Sequence, residues 1–290
     1  MEVLLLMTRI RMMLIVGMML IVGLWLKFFL PSDPYPTSTG YILLIGIQDY
    51  PNMPNKEWHL SGSRNDIALM RKTLREIFQD LNLTIILDEN ATHTKIEEAF
   101  TALSQRKIQP QDFVYIHYSG HGSWYDNENK DLEPAGYDQT WVPYGARTEK
   151  MKGLNDFDII DDEIDLWLQP ILAKTKNIII VSDSCHSGTA TRDGDVVRVI
   201  SKDNRKNHPF VLNQGSSPSP QNTGGIRIGA TKDNQSAWES RFEGKKHGVF
   251  TWHWAKTLKT QKNWIDAFYE AARLTQEYNG QNPNLEYHSN

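Results

Sequence analysis

The sequence predicts an α/β fold with a mostly parallel central sheet, on three observations. Short apolar runs bounded by turn residues recur along the chain and read as strands. Segments with an apolar stripe at helical spacing lie between them, and strand–helix alternation builds parallel βαβ units. Two of the strands run into polar turns that carry reactive side chains, at the end of the strand where open α/β sheets present their chemistry.

The elements follow in order. Residues 12–26, MMLIVGMMLIVGLWL, carry no charge, and Lys27 alone interrupts the apolar stretch before Leu30. As a helix of that length it would span about 28 Å, close to the hydrocarbon thickness of a bilayer. Arg9 and Arg11 precede it, and no small-residue cleavage pattern follows. Residues 1–30 are therefore expected to form a hydrophobic helix acting as a single-pass membrane anchor, with the large domain outside the cytoplasm. Cleavage as a signal peptide and secretion is the alternative. Residues 31–40 read as a Pro/Ser/Thr linker, and 41–290 as one domain.

Within that domain Tyr41–Ile47 reads as a buried strand. Arg64–Phe78 carries Ile67, Met70, Leu74, Ile77 and Phe78 as the stripe of an amphipathic helix. Thr84–Leu87 is a short strand, and Thr94 with Glu97 a capping box for a helix reaching Leu103. Phe113–Tyr118 is a strand. Ile164–Leu172 is a helix with Pro170 inside it. Ile178–Ser182 and Ile226–Ala230 are strands, and helices follow around Phe250–Leu258 and Trp264–Tyr278. Residues 192–225 form a long polar loop with weak strand potential at Val196–Ile200, a length that marks a functional or disordered segment.

Composition narrows the function classes. A net charge of -4 and a pI of about 6.1 give no support for a nucleic-acid partner. The single cysteine excludes an intrachain disulfide and leaves the redox compartment open. No Gly-rich phosphate loop follows Tyr41–Ile47, which disfavours a nucleotide-binding domain.

That cysteine lies in the most informative stretch, Ile178–Thr189, IIIVSDSCHSGT. Cys185 sits on the turn after the strand, between Asp183-Ser184 and His186-Ser187-Gly188. The Phe113–Tyr118 strand runs into Ser119-Gly120-His121-Gly122. A thiol on one strand end and an imidazole on another are the minimum for a cysteine nucleophile with a histidine base. Two other readings stand beside it. A lone cysteine can be a small buried hydrophobe, and His117, His121 and Cys185 could ligate a metal, although a strand and its exit lack the helical spacing of paired histidine ligands. His186 is a rival base, but neighbouring residues on a strand exit project in different directions.

The motifs YILLIGIQDYP, NDIALM, HYSGHG, GYDQTWVP, IIDDEIDLWL, VSDSCHSG and GVFTW run in order from Tyr41 to Trp252. In these the chain resembles the caspase-like cysteine peptidases, on the metacaspase and bacterial caspase-homologue (orthocaspase-like) branch. The resemblance implies a caspase-like α/β/α sandwich and a cysteine endopeptidase, with Cys185 as nucleophile and His121 as general base. It implies the backbone N–H groups of Gly122 and Cys185 as oxyanion donors. It implies Ser119, Asp161 and Asp183 as an acidic pocket accepting Arg or Lys before the cut. Protein or peptide substrates, a monomer and no cofactor required for the chemistry follow from it. Calcium activation is left open: Asp138, Asp161 and Asp162 match acidic positions of some relatives, while Arg192 falls on the remaining one with Asp193 one step displaced. The chain also departs from the branch in having Pro143-Tyr144-Gly145 where Pro-x-Asp is common. Relatives are often cut between their two parts, so self-cleavage is expected near Arg198, Lys202, Arg205 or Lys206. The competing classes are a catalytically silent caspase-like binding module and a related thiol hydrolase or transpeptidase.

Overall fold

A computed structural model describes residues 35, 38–53, 58–126, 137–148, 153–185, 196–205, 208–210, 225–232 and 235–288. The central sheet has six strands in the order β12-β9-β7-β3-β1-β2. These are β1 Gly40–Gly46, β2 Leu81–Leu87, β3 Phe113–Ser119, β7 Ile178–Asp183, β9 Gly225–Gly229 and β12 Asn284–His288. Every neighbouring pair is parallel except β12 with β9, which closes one edge antiparallel.

Side chains alternate across a strand, and β1 shows the consequence. Leu43 and Ile45 enter one core, together with Ile96, Phe100 and Leu103 of α2 (His93–Ser104) and Ile164, Leu168 and Ile171 of α3 (Asp161–Leu172). Ile42 and Leu44 enter the other. There they meet Ile67, Met70 and Leu74 of α1 (Ser63–Ile77), Phe250 and Trp254 of α4 (Val249–Leu258), and Ile265 and Phe268 of α5 (Trp264–Asn279). The result is the expected α/β/α sandwich. Pro170 lies inside α3, where the missing N–H removes one helical hydrogen bond.

Two small sheets that the sequence did not reveal stand beside the central one. The first is β4-β5-β6: Gly122–Asp126, Tyr137–Trp141 and Ile159–Ile160. The second is β11-β10-β8: Lys245–Gly248, Trp238–Phe242 and Val196–Val197. They are short, and their sequences (YDQTW, WESRF, KKHG) mix charged and aromatic residues without a long apolar run.

Two expectations are corrected. The cap of α2 is Thr92, whose Oγ1 accepts from the N–H of Lys95; the N–H of Thr94 goes to Asn155 Oδ1 instead, at 2.9 Å. Within the long loop, the stretch read as having weak strand potential does pair: Val196–Val197 with β10, while Val199 bridges to Gly122. The membrane anchor and the location outside the cytoplasm are withdrawn. Among the described residues no helix is long and apolar enough to cross a membrane, and residues 1–30 lie outside them.

The last long helix, α5, is bounded by explicit caps. Asn263 Oδ1 accepts from the N–H of Asp266 at 2.9 Å, and Gly280, at φ 80°, ends it in the left-handed conformation. Replacing Asn263 by Ala is expected to cost about 1 kcal/mol. Urea unfolding should read this as a lower midpoint at an unchanged slope.

Candidate active site

The register of β3 against β7 assembles the site. Ser119 is paired with Asp183 at the ends of the two strands. His121 and Cys185 each follow two residues later, so the two turns emerge side by side. The N–H of Gly120 donates to the carbonyl of Asp183 across them, at 3.4 Å.

His121 is held from several directions. Its backbone N–H donates to Tyr50 Oη at 2.7 Å, and its carbonyl accepts from Tyr118 Oη at 2.7 Å and from the N–H of Val142 at 3.1 Å. Its ring lies 4.7 Å from that of Tyr50. Ring Nε2 is 2.6 Å from the carbonyl of Trp58. A carbonyl only accepts, so the proton sits on Nε2 and the lone pair on Nδ1. Burial lowers the pKa of this imidazole to about 3, with the carbonyl of Trp58 opposing.

Cys185 is buried, and its Sγ–H donates to the carbonyl of Gln235 at 2.7 Å. The backbone N–H of Cys185 donates to the carbonyl oxygen of Arg198 at 3.1 Å, and the N–H of Gly122 reaches the same oxygen at 3.0 Å. The two N–H groups named from the sequence as oxyanion donors thus converge on one carbonyl of the chain itself. That carbonyl belongs to an extended segment. Arg198 N–H donates to the carbonyl of Ala237 at 2.9 Å, and Ile200 N–H to the carbonyl of Gly122 at 3.0 Å.

The Arg198 side chain is fully buried. Nη2 donates to Asp66 Oδ2 at 2.6 Å and Glu239 Oε1 at 3.0 Å. Nη1 donates to Ser119 Oγ at 2.9 Å and the carbonyl of Asp183 at 3.1 Å, with Asp183 Oδ1 at 3.2 Å. Burial alone would lower the pKa of this guanidinium, but Asp183, Asp66 and Glu239 more than reverse that and hold it protonated. Burial raises the pKa of Asp183, only partly offset by Arg198. At Asp66 burial is outweighed by Arg198 and His247, and the carboxyl stays below its ordinary range. Gly248 closes this pocket: a Cβ there would lie 2.1 Å from Asp183 Oδ2 and 2.7 Å from Arg198 Nη1.

A polar chain supports Asp183 from behind. Trp254 Nε1–H donates to Tyr115 Oη, and Tyr115 O–H to His117 Nδ1. His117 Nε2–H donates to Thr251 Oγ1, whose hydroxyl donates to Asp183 Oδ2. Burial lowers the His117 pKa to about 3, which keeps the ring neutral and both its nitrogens paired.

Of the residues named from the sequence, His121, Gly122, Ser119, Asp183 and Cys185 come together. Asp161 does not. Ser119 and Asp183 share the face of Phe113, Tyr115 and Val181, toward α1 and α4. Asp161 stands on the first turn of α3 behind the opposite face, with the N–H of Gln139 at 3.4 Å from Oδ2. It lines a separate cavity of about 200 Å³ with Trp141, Ser182 and Arg227. Its helix N-terminus is capped by Glu163, whose Oε2 accepts from the N–H of Ile160 at 3.0 Å.

Asp66 and Glu239 were missed. The signal for Asp66 was a carboxylate at the position four before Met70, within the apolar stripe of α1. Glu239, in a short strand, offered no comparable pattern. Among the described residues no three His, Cys, Asp or Glu side chains are grouped so that they could hold a metal ion. His186, Arg192 and Asp193 lie outside the described residues.

The sandwich and the paired strand-end turns define the class, a caspase-like domain. Residues 39–289 match the family described as Caspase domain, and the chain belongs to that family. Curated relatives are metacaspases. The chain is 31% identical over 162 residues to Metacaspase III c of Phaeodactylum tricornutum, covering 54% of this chain and 45% of that one. It is 33% identical over 174 residues to Metacaspase-1 of Pyricularia oryzae, covering 55% and 40%. Metacaspase-7 of Arabidopsis thaliana is 32% identical over 152 residues, covering 50% and 34%. The chain thus matches less than half the length of each of these relatives. A crystal structure of a protein from Geobacter sulfurreducens shares the fold at a TM-score of 0.62 and 21% identity, covering 86% of this chain and 93% of that one.

The buried neutral histidines give a pH prediction. In the unfolded chain they take up protons near pH 6.5; folded, His117 and His121 do so only near 3. Stability is full above about pH 6.5 and is lost as pH falls toward 3, at up to about 1.4 kcal/mol per pH unit per histidine. Unfolding of the full chain carrying Cys185→Ala, followed between pH 6.5 and 5, should show this slope. His117→Gln should flatten it, and an unchanged slope in that variant would refute the buried neutral ring.

Proposed function

We propose that the chain is a cysteine endopeptidase that hydrolyses peptide bonds after Arg or Lys, and that the first bond it cuts is its own Arg198–Val199. One observation carries the reading: the carbonyl of Arg198 accepts from the N–H groups of both Gly122 and Cys185 while its guanidinium fills a pocket of three carboxylates. Residues 196–200 lie as an extended strand between Gly122 and β10, the manner in which peptides add to a sheet edge.

The chemistry follows from these positions. The Cys185 thiol turns from the carbonyl of Gln235, and its proton passes to His121 Nδ1. The thiolate attacks the carbonyl carbon, and the oxygen takes the negative charge between the two N–H donors. A donor of this kind is worth about 100-fold or more in rate. As the C–N bond breaks, His121 returns its proton to the leaving amine of Val199. Water, deprotonated by the same nitrogen, then releases the acyl group as a carboxylate and restores the thiol. The carboxylates favour a cation before the cut and repel an Asp side chain. Lys202, Arg205 and Lys206 are not the proposed site: Arg205 is paired with Asp203 and packed over Phe157.

Incubated full-length chain should yield a fragment beginning at Val199, found by intact mass and terminal sequencing, and should hydrolyse fluorogenic peptides ending in Arg or Lys. Both activities should vanish in Cys185→Ala and fall at least about 100-fold in His121→Ala. Cleavage after Asp, or activity that survives loss of the thiol, would sink the reading.

A further inference from the structure

We propose that Glu239 makes this pocket select arginine over lysine; the inference rests on the reading that Arg198 marks the residue before the cut. The four hydrogens of the two terminal nitrogens are divided between two sides. Nη1 serves Ser119 Oγ and Asp183; Nη2 serves Asp66 Oδ2 and Glu239 Oε1. A guanidinium spans both sides because its donors form a rigid planar fork. An ammonium is a single point with three donors, so it can engage one side or the other.

The carboxylates differ in what an ammonium would leave behind. Asp66 keeps its contact with His247 Nδ1 at 3.0 Å and with the N–H of Gly248. Asp183 keeps the hydroxyl and N–H of Thr251. Glu239 is fully buried, and among the described residues its one ion pair is with Arg198. It cannot follow a shorter cation. Oε2 accepts from the N–H of Ser61 at 2.9 Å and Oε1 from that of Gly62 at 2.9 Å, which ties it to the start of α1. Gly62 keeps that approach open, since a Cβ would lie 2.8 Å from Oε1. A lysine bound on the Ser119 side therefore leaves Glu239 with its two backbone N–H partners and no cation, a buried charge without its counter-ion. A lysine bound on the Asp66 side leaves Ser119 and Asp183 without their donor.

The competing account is that Glu239 only anchors α1, and two measurements separate them. In the first, the full chain hydrolyses matched peptides ending in Arg or Lys. The wild type should favour Arg by about 10-fold or more in kcat/KM. Glu239→Gln should lower kcat/KM for Arg peptides by about that factor while changing Lys peptides much less, so the ratio collapses. An anchoring role would depress both equally, and a wild-type ratio of one or below would overturn the proposal whatever the variant does.

The second needs no activity. In full-length Cys185→Ala, thermal unfolding is compared for Arg198→Lys, Glu239→Gln and the double variant. Arg198→Lys should lower the melting temperature markedly with Glu239 present, and less than half as much when Glu239→Gln accompanies it. Equal losses in both backgrounds would overturn the proposal. If the wild-type chain cleaves after neither residue, the peptidase reading fails and this cycle alone decides for or against Glu239.

Discussion

The buried guanidinium of Arg198 is the interaction on which the rest of this site depends. Three carboxylates from three elements meet it: Asp66 of α1, Asp183 of β7 and Glu239 of β10. None of the four side chains reaches solvent. Desolvating four charges is expensive, and their mutual attraction offsets that only with good geometry and further hydrogen bonds. Those bonds come from Ser119, Thr251, His247 and the N–H groups of Ser61, Gly62 and Gly248. One side chain thus joins α1, two strands of the central sheet and the sheet of β8, β10 and β11.

The same pairing couples stability to access. A pocket filled by its own chain is closed to other peptides, because the tethered residue competes at high effective concentration. Cutting the Arg198–Val199 bond would end the tether to residues 199–205 without dissolving the ion pairs. The new carboxyl terminus would still sit in its pocket until it exchanged with another arginine. On the proposed reading, the contacts that hold Arg198 in the uncut chain would also govern how its site opens.

The legibility of these features in the sequence follows their burial. β1, β3 and β7 are buried on both faces, so YILLIGI, FVYIHY and IIIVS announce themselves as unbroken apolar runs. The motifs at their ends located His121 and Cys185. The strands of the small sheets were invisible because they are short, two residues each in β6 and β8, and because charges interrupt others, as in WESRF, where Glu239 is buried as a counter-ion. Arg198 was legible as a basic residue of a polar loop. It is the single charge in the apolar run Val196–Ile200, a placement that suits a buried partner better than a solvated loop. Asp161 was grouped with Asp183 by motif alone; strand alternation separates them, because Asp183 and Ser182 point to opposite faces of the sheet.

That alternation also explains why the chemistry does not depend on the turns alone. If β7 slipped by one residue against β3, every side chain would change face. Asp183 would leave the pocket and Ser182 would enter it, and Cys185 would no longer lie level with His121. Both faces oppose such a slip with directional contacts. On one, Trp141 Nε1–H donates to Ser182 Oγ at 3.0 Å. On the other, the Thr251 hydroxyl and the chain through His117 and Tyr115 hold Asp183. Apolar packing favours the right face but tolerates a neighbour of similar size, whereas these hydrogen bonds accept one register only. The polar core behind the site is thus what converts a sheet of interchangeable Val, Ile and Tyr residues into a fixed spacing between a thiol and an imidazole.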